Sequence, residues 1–315
     1  MKKNIKSILF TTIILFVFPS CMTTSEFSDF GSALTEVVNV AAGEDSALAS
    51  ITGAVVDTSV AIAKANETFE PEQEYYIGRS VAANILARYS VYDNLYAREY
   101  LNTICQTLVI NSSQPEIFNG YFVQILDSEE INAFATSGGH ILITKGMLKC
   151  AESEDALAAV IAHEIAHIQL AHGIQAIQAS RTTGAWVTGI SSAVTITASA
   201  MGEADYNELV ESFSSGIDDL TQTLVNTGYS KTHEFEADAM ALELMMNAGY
   251  CPYAMVDMLM LLEENSKGQH SGFVHTHPKP EDRLDEVENN LDNYEYHKIN
   301  NMRTARFYNM QQYLY

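Results

Sequence analysis

The stretch VIAHEIAHIQLAHG, residues 160–173, places His163 and His167 four positions apart with Glu164 between them. On an α-helix, residues four apart share a face with Cβ atoms about 5–6 Å apart, so both imidazoles can reach one metal ion. Glu164 lies about 100° further round the helix, beside that ion rather than on it. A carboxylate there can take a proton from zinc-bound water, so the spacing predicts hydrolytic zinc chemistry.

The alternative interpretation is a pair of surface histidines on an amphipathic helix. Apolar residues surround both histidines on every side, from Val160 to Ile168. An unpaired imidazole in such surroundings is costly, which favours the metal-binding interpretation.

A catalytic zinc site needs a third protein ligand. His172 lies one position too early for the metzincin pattern, and His140 falls in a predicted strand whose position relative to the helix is not fixed by spacing. Glu234 and Glu236, in the stretch EFEAD (234–238), open another apolar helix. Two imidazoles and a carboxylate, with the fourth position left to water, form an established catalytic zinc set, so we favour this segment.

Hydrophobic spacing indicates the elements that carry these residues. Residues 153–180 and 233–250 have apolar residues at helical spacing, and Gly249 is a stop signal for the second helix. Residues 121–148 are rich in β-forming residues, and Gly138-Gly139 predicts a tight hairpin. We therefore predict an α+β, predominantly helical fold, with a small β-sheet beside the HExxH helix.

The start of the chain has the layout of a secretory signal. Three lysines in the first six residues precede an apolar run over 8–18, followed by Ser20 and Cys21. The run is too short to span a membrane, so we predict a lipoprotein-type signal peptide over 1–20 and lipidation of Cys21. An ordinary secretory signal with an incidental cysteine is the alternative. A lipid anchor would hold the protein in the bacterial periplasm, and Met22 favours the outer membrane.

Composition defines the other boundaries. Residues 21–69 read as a tether with weak helices, 70–290 as the domain that holds the predicted zinc site, and 291–315 as a C-terminal tail. Within the domain, 182–228 is predicted to be an insert that covers the cleft. Its apolar stretch 184–200 packs on the cleft in our preferred interpretation and dips into the membrane in the alternative.

The charge of the chain excludes one class of partner. The formal net charge is −23, and removing residues 1–20 leaves 14 basic residues against 40 acidic ones, a net charge of −26. A surface this acidic repels nucleic acid and anionic lipid, so no nucleic-acid partner is expected and the lipid provides the membrane attachment. Cys105, Cys150 and Cys251 have no CxxC spacing, so a thiolate zinc site is not predicted.

HEIAH followed by EFEAD resembles the gluzincin metallopeptidases that include HtpX, the CAAX prenyl protease, the Oma-type proteases and the periplasmic assembly-quality proteases. The stretches EQEYYIGR (72–79), INAFATSGGHILITKGML (131–148) and HPKPEDRL (277–284) are also similar to recurring blocks of that family. The resemblance covers about 70–290. It implies a zincin-like fold, one Zn²⁺ per chain and metalloendopeptidase activity.

The resemblance also assigns individual residues. It implies that Glu234 ligates zinc with His163 and His167, and that Asp238, one helical turn on, holds a zinc-ligating histidine as its hydrogen-bond acceptor. Glu236 lies on a different face and is expected to be structural.

The HPKPEDRL stretch adds two further candidates. His277 would either donate to the oxyanion of the tetrahedral intermediate or occupy the open zinc position as a latch. Arg283 would pair with an acid near the zinc. A capped turn without a functional role is the alternative for this stretch.

The predicted strands supply a surface for substrate. An exposed edge over 132–136 would pair with an extended peptide through main-chain hydrogen bonds. An ordinary internal strand is the alternative, which burial of that edge would favour.

The expected function is hydrolysis of peptide bonds in unfolded or misassembled envelope proteins, with Glu164 as the general base. The rival is a lipoprotein chaperone or scaffold whose zinc site is structural or latent. Four protein ligands around the ion would favour the rival, whereas three ligands and a water would favour the enzyme.

Overall fold

The structure is a computed structural model that describes residues 69–181, 214–266, 272–277, 279–294 and 301–314. The predicted signal peptide, Cys21, almost all of the predicted tether and the stretch 184–200 lie outside these residues. Within the described part of the chain, no helix combines the length and the apolar content needed to cross a membrane.

Two helices precede the sheet. Helix α1 spans Pro71–Leu86, with proline in its first turn and a capping box formed by Glu70 and Gln73. Helix α2 spans Leu95–Ile110, and the side chain of Asn94 accepts a hydrogen bond from its first turn.

Three strands form one sheet in the order β1-β3-β2: β1 (Phe122–Leu126), β2 (Ala133–Thr136) and β3 (His140–Thr144). Strand β1 is parallel to β3, whereas β2 is antiparallel to it. Gly138 and Gly139 form the β2–β3 turn with φ of 77° and 92°, values that glycine adopts without strain. Helix α3 (Lys145–Cys150) follows β3 directly.

Both outer strands of this sheet are covered. The Asn102 side chain pairs with both main-chain groups of Val123 in β1, at 2.9 and 2.8 Å. On the other side every residue of β2 is buried. The amide of Phe273 donates to the carbonyl of Ile131, just before β2, at 2.8 Å. The prediction of an exposed edge over 132–136 was therefore wrong: these residues are buried, and the later segment that holds Phe273 and Thr276 contacts the chain at Ile131 and Asn132.

Helix α4 (Glu154–Gln169) is the HExxH helix, and Ser153 caps its start. Residues 154–167 are all buried, as expected for a helix that is apolar on every face and lies in the centre of a domain. The chain turns at Ala171, which has a φ of 54°, and helix α5 (His172–Arg181) begins immediately after it.

The remaining described helices complete the fold. Helix α6 covers 214–222 and leads into a π-helical turn, Thr223–Thr227. They are followed by α7 (Lys231–Asn247), α8 (Ala254–Ser266), α9 (Phe273–Thr276), α10 (Pro280–Leu291) and α11 (Asn301–Gln311). The larger hydrophobic core joins α2, α4, α7, α8 and α11 with one face of the sheet, and a smaller core joins α1, α5 and α6 with the other. These elements confirm the predicted α+β, predominantly helical fold with a small sheet beside α4.

Helix α11, which lies within the predicted tail 291–315, packs into the larger core through Phe307 and Met310. Arg306 forms an ion pair with Glu154, and Arg303 forms one with Asp155 at 3.0 Å. Both carboxylates are fully buried at the start of α4. The position of the HExxH helix therefore depends on contacts with α11.

Candidate metal centre

Helix α4 presents His163 and His167 towards the same point. Their Nε2 atoms lie 3.0 Å apart, and each side chain is almost completely buried. The i, i+4 spacing thus brings the two imidazoles together at the centre of the domain.

Glu234 reaches the two histidines from the first turn of α7, whose start is capped by Ser230. Its Oε2 lies 3.4 Å from Nε2 of His163, and its Oε1 lies 3.5 Å from Nε2 of His167. The structure therefore brings together the three ligands implied by the family resemblance.

These atoms fit a metal ion. Ligand atoms placed tetrahedrally at the usual zinc bond lengths lie about 3.3 Å from one another. The two Nε2 atoms lie 3.0 Å apart, and each faces a different oxygen of Glu234, at 3.4 and 3.5 Å. Oε1 of Glu234 is also buried without a hydrogen-bond partner among the described residues. A buried carboxylate oxygen without a donor is costly, and a cation would remove that cost.

His277 completes the cluster. Its Nδ1 lies 2.8 Å from Oε2 of Glu234, and its ring stacks on that of Phe273 with centroids 3.9 Å apart. The ligand atoms of the four residues all lie within 4.8 Å of one another. His277 thus lies where a fourth protein ligand would lie.

Asp238 and Arg283 support His163 on the Nδ1 side of its ring, away from the cluster. Oδ1 of Asp238 lies 2.9 Å from Nδ1 of His163, and Nε of Arg283 donates to Oδ2 of Asp238 at 2.8 Å. Burial opposes the charge of Asp238, but Arg283 and His163 outweigh it and keep the pKa of the carboxyl below its usual value. Asp238 therefore remains an anionic acceptor that fixes the orientation of the His163 ring.

The surroundings of Glu234 and Glu164 shift the pKa values of these two carboxyl groups in opposite directions. For Glu234, burial is outweighed by His277 and His163, and its pKa lies well below the usual value. For Glu164, burial dominates and raises the pKa to about 7. Oε1 of Glu164 has no hydrogen-bond partner in the described chain. One carboxylate is thus stabilised as an anion, while the other is poised to gain or lose a proton near neutral pH.

Sequence reasoning missed a second group of residues beside the cluster. Nδ1 of His172 lies 2.8 Å from Nδ1 of His167, and Nε2 of His172 lies 3.3 Å from Oε2 of Glu236. The rings of His233 and Tyr229 stack on His172 and His167, with centroids 4.3 and 4.4 Å apart. The spacing HExxHxxxxH places His172 five residues after His167, and this spacing was the sequence signal for a contact between the two histidines.

His140, the other histidine considered as a third ligand, lies elsewhere. Its ring lies beside that of Tyr75, with centroids 5.3 Å apart, and it is not part of the four-residue cluster.

The fold and the cluster define the class of protein: a zincin-like metallopeptidase domain. Residues 97–291 match Peptidase family M48, and the chain belongs to this family.

Several curated proteins are similar to this chain. The beta-barrel assembly-enhancing protease of Escherichia coli (strain K12) is 25% identical over 234 residues, covering 71% of this chain and 45% of the relative. The metalloprotease LoiP of the same organism is 27% identical over 198 residues, covering 62% of this chain and 71% of the relative. The mitochondrial metalloendopeptidase OMA1 of Schizosaccharomyces pombe is 26% identical over 195 residues, covering 60% of this chain and 51% of the relative.

The matched region spans less than half the length of the beta-barrel assembly-enhancing proteases. The family match over residues 97–291 includes all four residues of the metal-binding cluster. Family membership supports a metallopeptidase role.

Proposed function

We propose that this protein is a zinc-dependent metalloendopeptidase of the bacterial periplasm that hydrolyses peptide bonds of unfolded or misassembled envelope proteins. Cys21 would carry a lipid anchor, with the outer membrane as the favoured location. The names of the assembly-enhancing relatives support the substrate class, and the lipoprotein-type start of the sequence supports the anchor.

One observation carries the proposal: His163, His167 and Glu234 converge from two helices, and beside them Oε1 of Glu164 is buried without a hydrogen-bond partner among the described residues. Two imidazoles and a carboxylate would hold one Zn²⁺. When bound, the ion would supply Lewis acidity to the scissile carbonyl and to the attacking water.

The residues of the chain provide the proton transfers and the ligand geometry. Glu164 would take a proton from the attacking water and return it to the leaving amine, for which a pKa near neutrality is suited. Asp238 and Arg283 would keep the His163 ring in one orientation.

His277 supports a latent state of this peptidase. Its contact with Glu234 and its place in the ligand cluster favour the latch role over the oxyanion role in the described conformation. The same segment contacts the chain at the start of the β2 edge, through hydrogen bonds from Phe273 to Ile131 and from Thr276 to Asn132. Residues 272–277 would therefore have to move before a peptide could reach both the edge and the ion.

The rival function is a lipoprotein chaperone or scaffold with a structural zinc site. The four-residue cluster favours it, because a closed set of four protein ligands is typical of structural zinc. Against it, a structural site has no use for a buried, unpartnered carboxyl such as that of Glu164.

Substitution of Glu164 tests the proposal. Purified wild-type protein and Glu164→Gln would be compared for zinc content and for digestion of casein, with and without a chelator. We expect one zinc per chain in both proteins and chelator-sensitive digestion by the wild type alone. Equal digestion by both proteins would refute the mechanism. If the zinc-loaded wild type and the zinc-loaded variant His277→Ala both failed to digest casein, the rival function would be favoured.

A further inference from the structure

His172 is a fully buried histidine that the mechanism above does not use. It is 0% exposed and contacts His167 through the two Nδ1 atoms, 2.8 Å apart. On the other side of its ring, Nε2 faces Oε2 of Glu236 at 3.3 Å. A buried imidazole that uses both nitrogens in this way needs a defined arrangement of hydrogens.

The neighbouring atoms permit one such arrangement. Nε2 of His167 faces the metal-binding cluster, so this atom provides the lone pair and the ring hydrogen is on Nδ1. Nδ1 of His167 then donates to Nδ1 of His172, which leaves the hydrogen of His172 on Nε2. That hydrogen points to Glu236, so each donor in the series meets an acceptor.

The turn between α4 and α5 makes the contact possible. On a continuous helix, residue 172 would lie about 140° round the axis from residue 167, on a different face. Helix α4 ends at Gln169, and Ala171 adopts a φ of 54°, a region that non-glycine residues seldom occupy. The chain turns there, and His172 comes back against the ring of His167.

A second metal site is a competing explanation, because ligand atoms of His172, His233 and Glu236 also lie within 4.8 Å of one another. The rings of His172 and His233 are nearly parallel, with an angle of 12° between their planes and centroids 4.3 Å apart. The lone pair of an imidazole nitrogen lies in the plane of its ring, so two stacked rings do not direct their lone pairs at one ion. This geometry disfavours a metal ion there.

We propose that His172 is a positioning residue that fixes the tautomer and the orientation of His167, and that Glu236 in turn fixes His172. The inference rests on the proposed function, since it takes His167 as a zinc ligand. The two histidine ligands then have different supports: an anionic carboxylate, Asp238, for His163 and a neutral imidazole for His167.

The charges of the site explain why the second support is neutral. Glu164, Glu234 and Asp238 are already buried there, with Arg283 as the nearby buried cation. Another buried carboxylate would add a desolvation cost that an imidazole acceptor avoids. The charge of Glu236 is placed further out, where its side chain is 52% exposed.

Two substitutions of His172 separate positioning from packing. In His172→Asn the side-chain oxygen can accept at the place of Nδ1, whereas His172→Leu fills the space without an acceptor. The full chain would be loaded with zinc, and the rate of zinc loss to a chromophoric chelator would be measured. The visible spectrum of the cobalt-substituted protein reports ligand geometry, and unfolding of the metal-free protein reports packing.

We expect His172→Leu to lose about 10–100-fold in zinc affinity and to change the cobalt spectrum. We expect His172→Asn to remain close to the wild type in both measurements. In the metal-free protein, we expect His172→Asn to be no more stable to unfolding than His172→Leu. Unchanged zinc retention and an unchanged spectrum in His172→Leu would overturn the proposal. So would equal losses in both variants, which would indicate packing alone.

The zinc content of the wild type keeps this test separate from that of the peptidase. A second bound zinc that is lost in Glu236→Ala would overturn the positioning role in favour of a second metal site. Failure of the wild type to bind any zinc would refute the proposed function and this inference together. Zinc binding with the expected His172 pattern, but without peptidase activity, would refute only the function.

Discussion

Nδ1 of His277 lies 2.8 Å from Oε2 of Glu234, a residue 43 positions earlier in the chain. The same Oε2 atom lies 3.4 Å from Nε2 of His163. One carboxylate oxygen thus meets both His163 of α4 and His277, whose segment contacts the chain just before β2. Access of substrate and completion of the ligand set are therefore linked through a single residue.

Replacing His277 tests this link. We expect His277→Ala to bind zinc less tightly, because a fourth ligand is lost, and to digest unfolded casein several times faster than the wild type. Digestion rate and zinc affinity would be measured on the same preparations. A fall in digestion at full zinc occupancy would instead assign His277 to stabilisation of the oxyanion.

Gly228→Ala offers a way to displace the covering segment without altering any ligand. A Cβ atom at Gly228 would lie 1.7 Å from the carbonyl oxygen of Thr276, next to His277. We expect this substitution to raise the digestion rate. Gly120→Ala is the matched control, because Gly120 also has a positive φ, 75°, but its Cβ would meet nothing within 4 Å. Equal effects of the two substitutions would trace the change to backbone strain rather than to the clash.

Glu164 is expected to lower the stability of the metal-free protein above neutral pH. Its pKa is raised by burial to about 7 in the folded protein, so folding favours the protonated form. Stability is therefore lost as the pH rises from the pKa of the unfolded chain through 7. In the presence of a chelator, Glu164→Gln should be more stable than the wild type by about 3 kcal/mol at pH 8 and by much less at pH 5. Urea unfolding at the two pH values measures the difference, and a difference independent of pH would contradict the prediction.

Glu234 and Glu236 form a matched pair on α7 for testing the metal ligand. Glu234→Ala removes an oxygen from the cluster, so we expect zinc content after dialysis to fall well below one per chain while the helical circular dichroism is retained. Glu236→Ala acts only through His172 and should keep most of its zinc. If Glu236→Ala lost more zinc than Glu234→Ala, the assignment of the ligand would be wrong.

Arg306→Met tests the attachment of α11 to the HExxH helix. Glu154 is fully buried and would keep the hydroxyls of Tyr100 and Tyr250 as hydrogen-bond partners, with Nε of Arg303 at 4.0 Å. Loss of one partner of a buried charge is expensive, so we expect the free energy of unfolding to fall by about 3 kcal/mol. The control is Arg98→Met, because its ion pair with Asp93 is exposed and such pairs contribute about 0–1 kcal/mol. Similar losses in the two variants would show that α11 does not stabilise α4 through this pair.

The HExxH helix and the helix that carries Glu234 were predictable, because apolar periodicity and end signals are local properties of the chain. Because such patterns are local, they could not identify the third zinc ligand on their own. Spacing alone left Glu234 and Glu236 open, since both lie near the start of one helix, and the family resemblance made the choice.

The residues that sequence reasoning missed depend on contacts between distant segments or on unusual backbone geometry. His172 reaches His167 only because Ala171 has a positive φ, and an alanine in the sequence does not predict that conformation. Phe273 pairs with Ile131 just before β2, and α11 joins the core through Phe307 and Met310. Local patterns carry no information about such pairings.

Arg306 and Glu154, which form an ion pair, lie 152 residues apart in the chain. During synthesis, the HExxH helix emerges long before its partner on α11. Until then Glu154 and Asp155 lack their partners Arg306 and Arg303, so the nascent chain has little reason to bury the start of that helix. The order of synthesis therefore delays docking of the HExxH helix until α11 is present.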